Sequence, residues 1–389
     1  MSAPAALPLD GIRVVEFSHM VMGPTCGLIL ADLGADVIKV EPAPDGDKTR
    51  RLRGSGAGFF AIMSRNKRSV VLDLKSREGL DAALRLIRTA DVVIENFRPG
   101  AMARLGLGYE ALKADNPGLI YMSAKGFLQG PYEHRTALDE VVQMMAGLAY
   151  MTGPEGRPLR AGSSVNDIMG GMFGVIGILA ALLRRRSTGE GSHIESALYE
   201  NCVFLVAQHM AQYAVTAEPA APMPSRISAW SVYDVFDTAD GQVFVGAVTD
   251  TQWDIFCEAF GFDDLAADPE LATNRERVLQ RDRFMPRIRE RFARLTADEL
   301  MTRCEALGLP YAPIRRPQDL FEDPHLTQSG GLLDVTLADG RTTRVPALPL
   351  AMDGRRFGVR RDLPGPGEHT GDILAELGLD DGTTDETAA

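Results

Sequence analysis

The 389-residue sequence predicts an α/β fold, in which a doubly wound parallel sheet is followed by a smaller α+β domain. Three observations lead to this prediction. Up to residue 125, short apolar runs rich in valine and isoleucine alternate with amphipathic segments of helical period, as in successive βαβ units. A proline-rich stretch at 217–224 then interrupts the pattern. Beyond it, a hairpin signal precedes a series of helical segments, which indicates a second domain.

The first domain is predicted to contain strands at residues 12–17, 35–40, 69–74, 91–95, 119–123 and 193–196. Its helices are predicted at residues 23–33, 77–88, 109–115, 139–151 and 197–215, and Pro24 suits the first turn of the first helix. An apolar run over 169–183 predicts one more helix. We expect this helix to be buried, because a run of fifteen residues is too short to cross a bilayer.

The smaller domain is predicted over residues 225–320. It begins with a hairpin at 231–236 and 242–248 around an Asp-Gly turn, and continues with helices at 251–260, 275–295 and 297–306. Pro286 is expected to kink or split the second helix, and Thr296 with Glu299 has the spacing of a capping box. A second hairpin is predicted at 331–345. The tail after Asp380 is predicted to be disordered because it is polar and acidic.

Composition and charge exclude several classes of function. The formal net charge of -12 argues against nonspecific binding to nucleic acid or to a membrane surface. The N-terminal residues lack the basic and apolar regions of a signal peptide, so we expect a cytoplasmic protein. Four cysteines and six histidines are scattered without the spacing of metal ligands or of a disulfide framework, so we expect no metal site.

Polar and basic side chains follow several predicted strands, at the sheet edge where ligands of doubly wound proteins bind. His19, Val21 and Met22 follow the first strand. The later strands are followed by further residues, among them Lys75, Asn96, Phe97, Arg98, Arg104 and Lys125. The four Lys and Arg side chains of this set would bring positive charge to one edge of an acidic protein. The sequence therefore favours a ligand that carries phosphate.

Asp167 lies among small and apolar residues directly before the run at 169–183. An acid at this place is either the N-cap of the following helix or a reactive group, and the local sequence leaves both interpretations open. Other sites are disfavoured. No GxGxxG motif follows a predicted strand, and the sequence contains neither a P-loop nor the GxSxG motif of α/β-hydrolases.

Five ordered motifs resemble the class III CoA-transferase family. They are the segments 8–11, 34–41, 66–69 and 95–100, together with Asp167 and its flanks. The resemblance implies a large Rossmann-like domain formed by 1–216 and completed by 325–389, with a small domain at 225–320 and linkers at 217–224 and 316–325. It also implies that two subunits form an interlocked homodimer.

The resemblance further implies roles for individual residues. Asp167 stands where the transferases keep their nucleophilic aspartate. The CoA site is expected to include Val21, Met22, Leu72, Lys75, Asn96, Phe97 and Arg104, with Arg98 and Lys125 as further cations. The acid substrate is expected to meet His19, Lys125, His134, Arg135 and Asp139. Acyl-CoA and a small carboxylic acid would be the ligands, and no tightly bound cofactor is expected.

The expected reaction is transfer of CoA to a C4 or C5 dicarboxylate such as succinate, mesaconate or citramalate, through an aspartyl anhydride and an aspartyl-CoA thioester. Backbone N–H groups of residues 167–171 are expected to stabilise the oxyanion, and Gly170 and Gly171 to permit close approach. Intramolecular CoA transfer uses the same chemistry and stays open, as does the identity of donor and acceptor. A racemase is disfavoured because Leu138 stands where that branch has a histidine, and a noncatalytic CoA-binding protein is disfavoured by the presence of Asp167.

Overall fold

The computed structural model describes residues 6–226 and 228–379, which form two compact units. Unit 1 combines Met1–Pro224 with Pro324–Ala389, and unit 2 is Ser225–Asp323. The tail after Asp380, which the sequence predicts to be disordered, lies outside the described residues.

Unit 1 opens with alternating strands and helices. In chain order these are β1 (Arg13–Phe17), α1 (Met22–Asp32), β2 (Asp36–Pro42), α2 (Phe59–Met63), β3 (Lys67–Leu72), α3 (Arg77–Arg88), β4 (Val92–Glu95), α4 (Ala101–Arg104), α5 (Tyr109–Asp115), β5 (Ile120–Lys125), α6 (Asp139–Met145), α7 (Leu148–Thr152), α8 (Val165–Thr188), β6 (Ser192–Ala197) and α9 (Leu198–Thr216). Each strand that the sequence predicts for this domain is present.

The six strands form one parallel sheet in the order β3-β2-β1-β4-β5-β6. This is the strand order of Rossmann folds, and it reverses between β1 and β4. Successive residues of a strand face opposite layers. Val14 packs under α1 and α8, whereas Val15 packs under α3 and α5. Because both faces are covered, the predicted doubly wound α/β architecture is confirmed.

Unit 2 is an antiparallel sheet covered by helices. Its elements are β7 (Val232–Asp237), β8 (Gln242–Ala247), α10 (Asp250–Phe260), α11 (Asp263–Ala266), α12 (Asn274–Leu279), α13 (Arg281–Phe292), α14 (Ala297–Ala306) and β9 (Tyr311–Pro313). Aromatic side chains fill the core, including Trp253, Phe256, Phe284 and Phe292.

The predicted helix at 275–295 is split, but not at its proline. The break lies at Gln280, between α12 and α13, and Pro286 is inside α13. The capping box predicted for Thr296 and Glu299 is present at the start of α14.

After unit 2 the chain returns to unit 1. It forms α15 (Pro324–Gln328), β10 (Leu332–Thr336), β11 (Thr342–Pro346), β12 (Ala351–Met352), β13 (Arg355–Arg356) and α16 (Thr370–Glu376). Asn66 ties this segment to β3, since its Oδ1 accepts from the backbone N–H groups of Arg360 and Arg361 at 2.6 and 2.9 Å. Asn66 adopts a left-handed conformation with φ 62°, which places its side chain for both contacts.

Two helices near the centre of unit 1 differ from expectation. The single helix predicted at 139–151 is two helices, because Gly147 adopts φ 87° between α6 and α7. Helix α8 is longer than its apolar run, and within the described chain it is long and apolar enough to cross a membrane. It nevertheless packs on α1, β5, β6 and α9. The predicted burial holds for one face of α8, where Val175 and Ile178 are buried, whereas Met172, Ile176 and Leu183 on the other face are 48%, 58% and 65% exposed.

Candidate active site

The loop between β1 and α1 lies beside the end of β4, at the point where the strand order reverses. Asn96 clamps this loop from the neighbouring strand. Its Oδ1 accepts from the backbone N–H of His19 at 3.1 Å, and its Nδ2 donates to the carbonyl of the same residue at 2.7 Å. The rings of His19 and Phe97 lie 6.1 Å apart. Four residues predicted for the site, His19, Val21, Asn96 and Phe97, are therefore close together.

A network of buried charged residues contacts the same loop. Lys39 Nζ donates to the carbonyl of Ser18 at 2.5 Å and pairs with Asp47 at 2.9 Å. Glu16 is fully buried and pairs with Lys67 at 2.6 Å. Sequence reasoning missed this network, although the charged residues within otherwise apolar strands are a visible signal. These buried ion pairs support the loop. Substitution of one partner in a pair would leave the other charge buried without compensation.

Two glycines allow α8 to approach α1 closely. A Cβ atom at Gly171 would lie 2.7 Å from the carbonyl oxygen of Met22 and 2.7 Å from Thr25 Cβ, and one at Gly170 would collide with the Met22 side chain. Ile168, one turn earlier, packs in a small cluster with Val21. The first turn of α8 therefore lies beside the β1–α1 loop, and Asp167 belongs to this turn.

Asp167 is the third residue of α8, and Ser164 occupies the N-cap position. The N-cap interpretation of Asp167 is therefore wrong. Its side chain is half-buried, and within the described part of the chain its carboxylate accepts no hydrogen bond. An acid in the first helical turn is stabilised by the partial positive charge there. The carboxylate is nevertheless left free to react.

Asp139 supplies the cap that Asp167 does not. Its Oδ2 accepts from the backbone N–H groups of Asn166 and Asp167 at 2.9 and 3.2 Å, across 27 and 28 residues of sequence. Its Oδ1 accepts from Gln143 Nε2 at 2.5 Å, and Gln143 Oε1 accepts from the Ala161 N–H at 2.7 Å. Asp139 is buried, and both of its oxygens are occupied by protein donors. This geometry does not favour the substrate contact expected for Asp139.

The charges around Asp167 change its acidity. Burial, as the largest cause, and the negative charge of Asp139 together raise the pKa of Asp167 to about 7, and Arg160 opposes both. The Arg160 guanidinium lies 3.6 Å from Asp139 and 3.7 Å from Glu140, and its side chain is 39% exposed. A carboxylate with this pKa is more basic than an ordinary aspartate and is present in both protonation states near neutral pH.

The backbone donors expected for the oxyanion are occupied. Asn166 and Asp167 N–H groups bind Asp139, and the Ile168 N–H donates to the Ser164 carbonyl at 3.0 Å. Residues 169–171 lie inside the helix, where N–H groups bind the preceding turn. The expectation for residues 167–171 was wrong because α8 begins two residues before Asp167. Gly170 and Gly171 serve the packing of two helices.

The predicted cations are divided into free and paired groups. The side chains of Lys75, Arg98 and Arg104 are exposed and form no ion pair or side-chain hydrogen bond within the described residues, so they are open to a ligand. Lys125, in contrast, forms an ion pair with Glu195 across the β5–β6 pair. Lys75 follows the edge strand β3, and three strands separate it from β5, a distance of ~19 Å. The four cations therefore do not form one cluster.

The remaining predicted residues are distributed as follows. Leu72 is buried in the sheet core and can offer a ligand little besides its backbone. His134 and Arg135 lie exposed in the segment before α6, with the Arg135 guanidinium 5.1 Å from the Tyr132 ring centre. Desolvation lowers the pKa of His19 against the opposing charge of Asp47, and Lys39 acts in the same direction as desolvation, so His19 is neutral at pH 7. The described residues contain no group of three potential metal ligands.

Comparison with known proteins gives consistent matches over nearly the whole chain. Residues 9–370 match the sequence profile of CoA-transferase family III. The succinate–glutarate CoA-transferase of Agrobacterium fabrum is 37% identical over 382 residues, which cover 95% of this chain and 96% of that protein. The succinyl-CoA:mesaconate CoA-transferase of Haloarcula hispanica is 34% identical, with 96% and 98% covered. The crystal structure of a CAIB/BAIF family protein from Brucella suis superimposes with a TM-score of 0.85 at 34% identity, with 96% and 100% covered.

Proposed function

The chain belongs to CoA-transferase family III and is an enzyme of that class; from this premise we propose that it moves CoA from an acyl-CoA thioester to a C4 or C5 dicarboxylic acid. One structural observation carries the proposal. Asp167 presents an unpaired, half-buried carboxylate at the start of α8, beside the β1–α1 loop at the switch point of the sheet. This is where ligands of doubly wound proteins bind.

The reaction follows from the chemistry of a carboxylate and a thioester. An Asp167 oxygen attacks the acyl carbon of the donor, and the C–S bond breaks. CoA departs as the thiolate, and the acyl group stays on Asp167 as a mixed anhydride. The thiolate then attacks the aspartyl carbonyl carbon, which releases the donor acid and forms an aspartyl-CoA thioester. The acceptor carboxylate reverses the two steps. One thioester bond is present at the start and at the end, so the exchange is nearly thermoneutral.

The environment of Asp167 suits this role. Nucleophilicity rises with basicity, so the raised pKa of Asp167 makes its ionised form a better nucleophile than an exposed aspartate. The two covalent intermediates are neutral at the aspartyl group. Burial, which disfavours the carboxylate, therefore favours their formation.

The dicarboxylate substrate is supported by the relatives and by the loop before α6. The two related enzymes described above are named for succinate, glutarate and mesaconate, which are all C4 or C5 diacids. We propose that His134 and Arg135 receive the distal carboxylate, since both side chains are exposed in one short loop. His19 is neutral and would donate a hydrogen bond instead of forming an ion pair. Lys75, Arg98 and Arg104 are left to the phosphates of CoA.

The proposal is tested with Asp167→Asn. We expect transfer from succinyl-CoA to a panel of diacids to fall by at least ~1,000-fold, because the amide cannot form the anhydride. The matched control is Asp81→Asn, which removes an exposed acid on α3 and should leave activity unchanged. Mass spectrometry of the acyl-CoA products measures the result. Full activity of Asp167→Asn would contradict the assignment of Asp167 as the nucleophile.

The same assay separates the alternative reactions. Intramolecular transfer within a mesaconyl group would give an isomeric thioester and no exchange with added acid. Racemisation would introduce deuterium from D2O at the α-carbon. We expect that neither an α-deuterated thioester nor an isomeric thioester is the main product. Leu138, which stands where an acid or base would be required, is an exposed apolar residue.

We also propose a homodimer, with subunits interlocked as the family resemblance implies. Apolar side chains remain exposed on α8 and α9, among them Ile176 at 58%, Phe204 at 67% and Met210 at 57%. Patches of this kind mark an interface. The cytoplasmic location expected from the sequence stays a prediction.

A further inference from the structure

We infer that Asp139 is a positioning residue for Asp167: it holds the first turn of α8 through two backbone amides and places a second negative charge beside the nucleophile, with Arg160 as the opposing charge. This inference rests on the proposed function, because it assigns a role in the same reaction. It concerns α6 and the segment before α8, which the local sequence around Asp167 does not reveal.

Asp139 fixes the geometry of the first turn of α8. A helix begins with N–H groups that lack partners inside the helix. In α8 the usual side-chain cap is missing, because Ser164 makes no capping hydrogen bond. Asp139 replaces it from another helix and binds the N–H of Asp167 itself. Rotation or fraying of this turn would move the nucleophile, so Asp139 fixes the direction from which Asp167 reaches the thioester.

Asp139 also acts on Asp167 through its charge. Asp139 is buried and its two oxygens are bound by three donors, namely two amides and Gln143. Hydrogen bonds of this kind stabilise the charged form of a carboxylate. Two carboxylates that share a site cannot both be ionised without cost. The negative charge of Asp139 raises the pKa of Asp167, and acylation of Asp167 removes this repulsion.

The other groups packed around this turn do not supply the same effect. Arg160 precedes α8 and is the opposing cation, and Glu140 on α6 pairs loosely with Arg160. On α9, burial raises the pKa of Cys202, so this thiol is uncharged. Helix α1 presents Met22 and Thr25, which do not titrate. Besides burial, Asp139 and Arg160 therefore remain as the two charged groups that shift the pKa of Asp167.

The consequence is a pH dependence whose sign differs between two variants. The reactive form of Asp167 is the carboxylate, so a pKa of about 7 predicts that kcat/KM falls at acidic pH, which is the acidic limb of its pH profile. At pH 6 we expect kcat/KM to be about tenfold below its plateau at high pH. Asp139→Asn removes the negative neighbour and should move this limb down by about one pH unit, leaving only about twofold loss at pH 6. Arg160→Gln removes the positive neighbour and should move the limb up, with about tenfold loss at pH 7.

The experiment measures kcat/KM for succinyl-CoA from pH 5 to pH 9 with the full-length protein, at constant ionic strength and with two acceptor acids. The matched control is Glu140→Gln, which removes the same charge from the exposed side of α6 and should shift the limb by less than about 0.3 units. A merely structural role for Asp139 would lower the rate equally at every pH.

Several outcomes decide the question. Opposite shifts in Asp139→Asn and Arg160→Gln support the inference, whereas an unmoved limb in either variant overturns it. If Asp139→Asn does not fold, the pH profile of Arg160→Gln decides the inference. Failure of the proposed function is recognised separately, because the unmodified enzyme would then show no transfer or Asp167→Asn would remain active.

Discussion

At the scale of single residues, the site depends on side chains that hold backbone. Asn96 illustrates this, because its amide makes two hydrogen bonds with the backbone of His19 and thereby fixes the loop that carries Val21 and Met22. Both polar atoms of its side-chain amide take part in these bonds. The residue that the family resemblance assigns to the CoA site therefore acts at least partly by shaping the loop.

This arrangement predicts the effect of Asn96→Ala. Loss of two hydrogen bonds, each worth roughly 1 kcal/mol, should raise KM for acyl-CoA about tenfold or more and change kcat less. Steady-state kinetics with varied acyl-CoA measures both constants. Asn116→Ala is the control. It removes one hydrogen bond from a side-chain amide to the Ala90 carbonyl elsewhere in unit 1, and it should leave KM unchanged. An unaltered KM in Asn96→Ala would show that the clamp is dispensable.

At the scale of elements, α8 connects packing with chemistry. Its first turn carries Asp167, its next turn is pressed against α1 through Gly170 and Gly171, and its far side is exposed. The sequence suggests that the glycines serve the substrate, whereas the structure uses them for the contact between helices. A helix with this contact cannot slide without moving Asp167.

The contact between α8 and α1 predicts the sign of the change in the free energy of unfolding when a glycine is replaced. In an open helix, Gly→Ala stabilises by about 1 kcal/mol. Gly171→Ala should instead lower the free energy of unfolding by about 1–3 kcal/mol, because the new Cβ would meet the backbone of Met22. Thermal and urea unfolding measure the change. Gly162→Ala, at an exposed position with open space around the added atom, should stay within about 0.5 kcal/mol of the unmodified protein. Stabilisation by Gly171→Ala would refute the close contact.

At the scale of the whole molecule, charge and exposed apolar surface point in different directions. The net charge of -12 favours repulsion between copies of the chain. The exposed apolar side chains of α8 and α9 favour association, and burying several of them outweighs a dispersed charge that salt screens. We therefore expect a dimer at physiological ionic strength.

Light scattering after size-exclusion chromatography tests this expectation. The unmodified protein should elute with twice the mass of the chain, and Ile176→Glu combined with Phe204→Glu should give monomer or aggregate. Leu279→Glu is the control, because Leu279 is 75% exposed on α12 and should leave the dimer intact. A monomeric unmodified protein would rule out the proposed assembly.

Much of the fold could be predicted from the sequence because its signals are local. Buried parallel strands such as 92–95 are continuous apolar runs, and α3 and α5 end at the predicted residues because their amphipathic period ends there. Asp167 could be identified by its place before an apolar helix and by its family motif. The break at Gly147 and the early start of α8 were missed, since a glycine or a polar residue near a helix end is compatible with either conformation.

The sequence by itself determined the α/β class, the strands and the candidate nucleophile. Only the tertiary structure decided which charges are free: Lys125 is paired with Glu195 and Asp139 is bound by the amides of α8, whereas Lys75 remains open. These pairs join residues that are up to 70 positions apart in the chain. The physical reason is that secondary structure follows from short-range periodicity, whereas the partner of a charged group depends on which strands and helices become neighbours after folding.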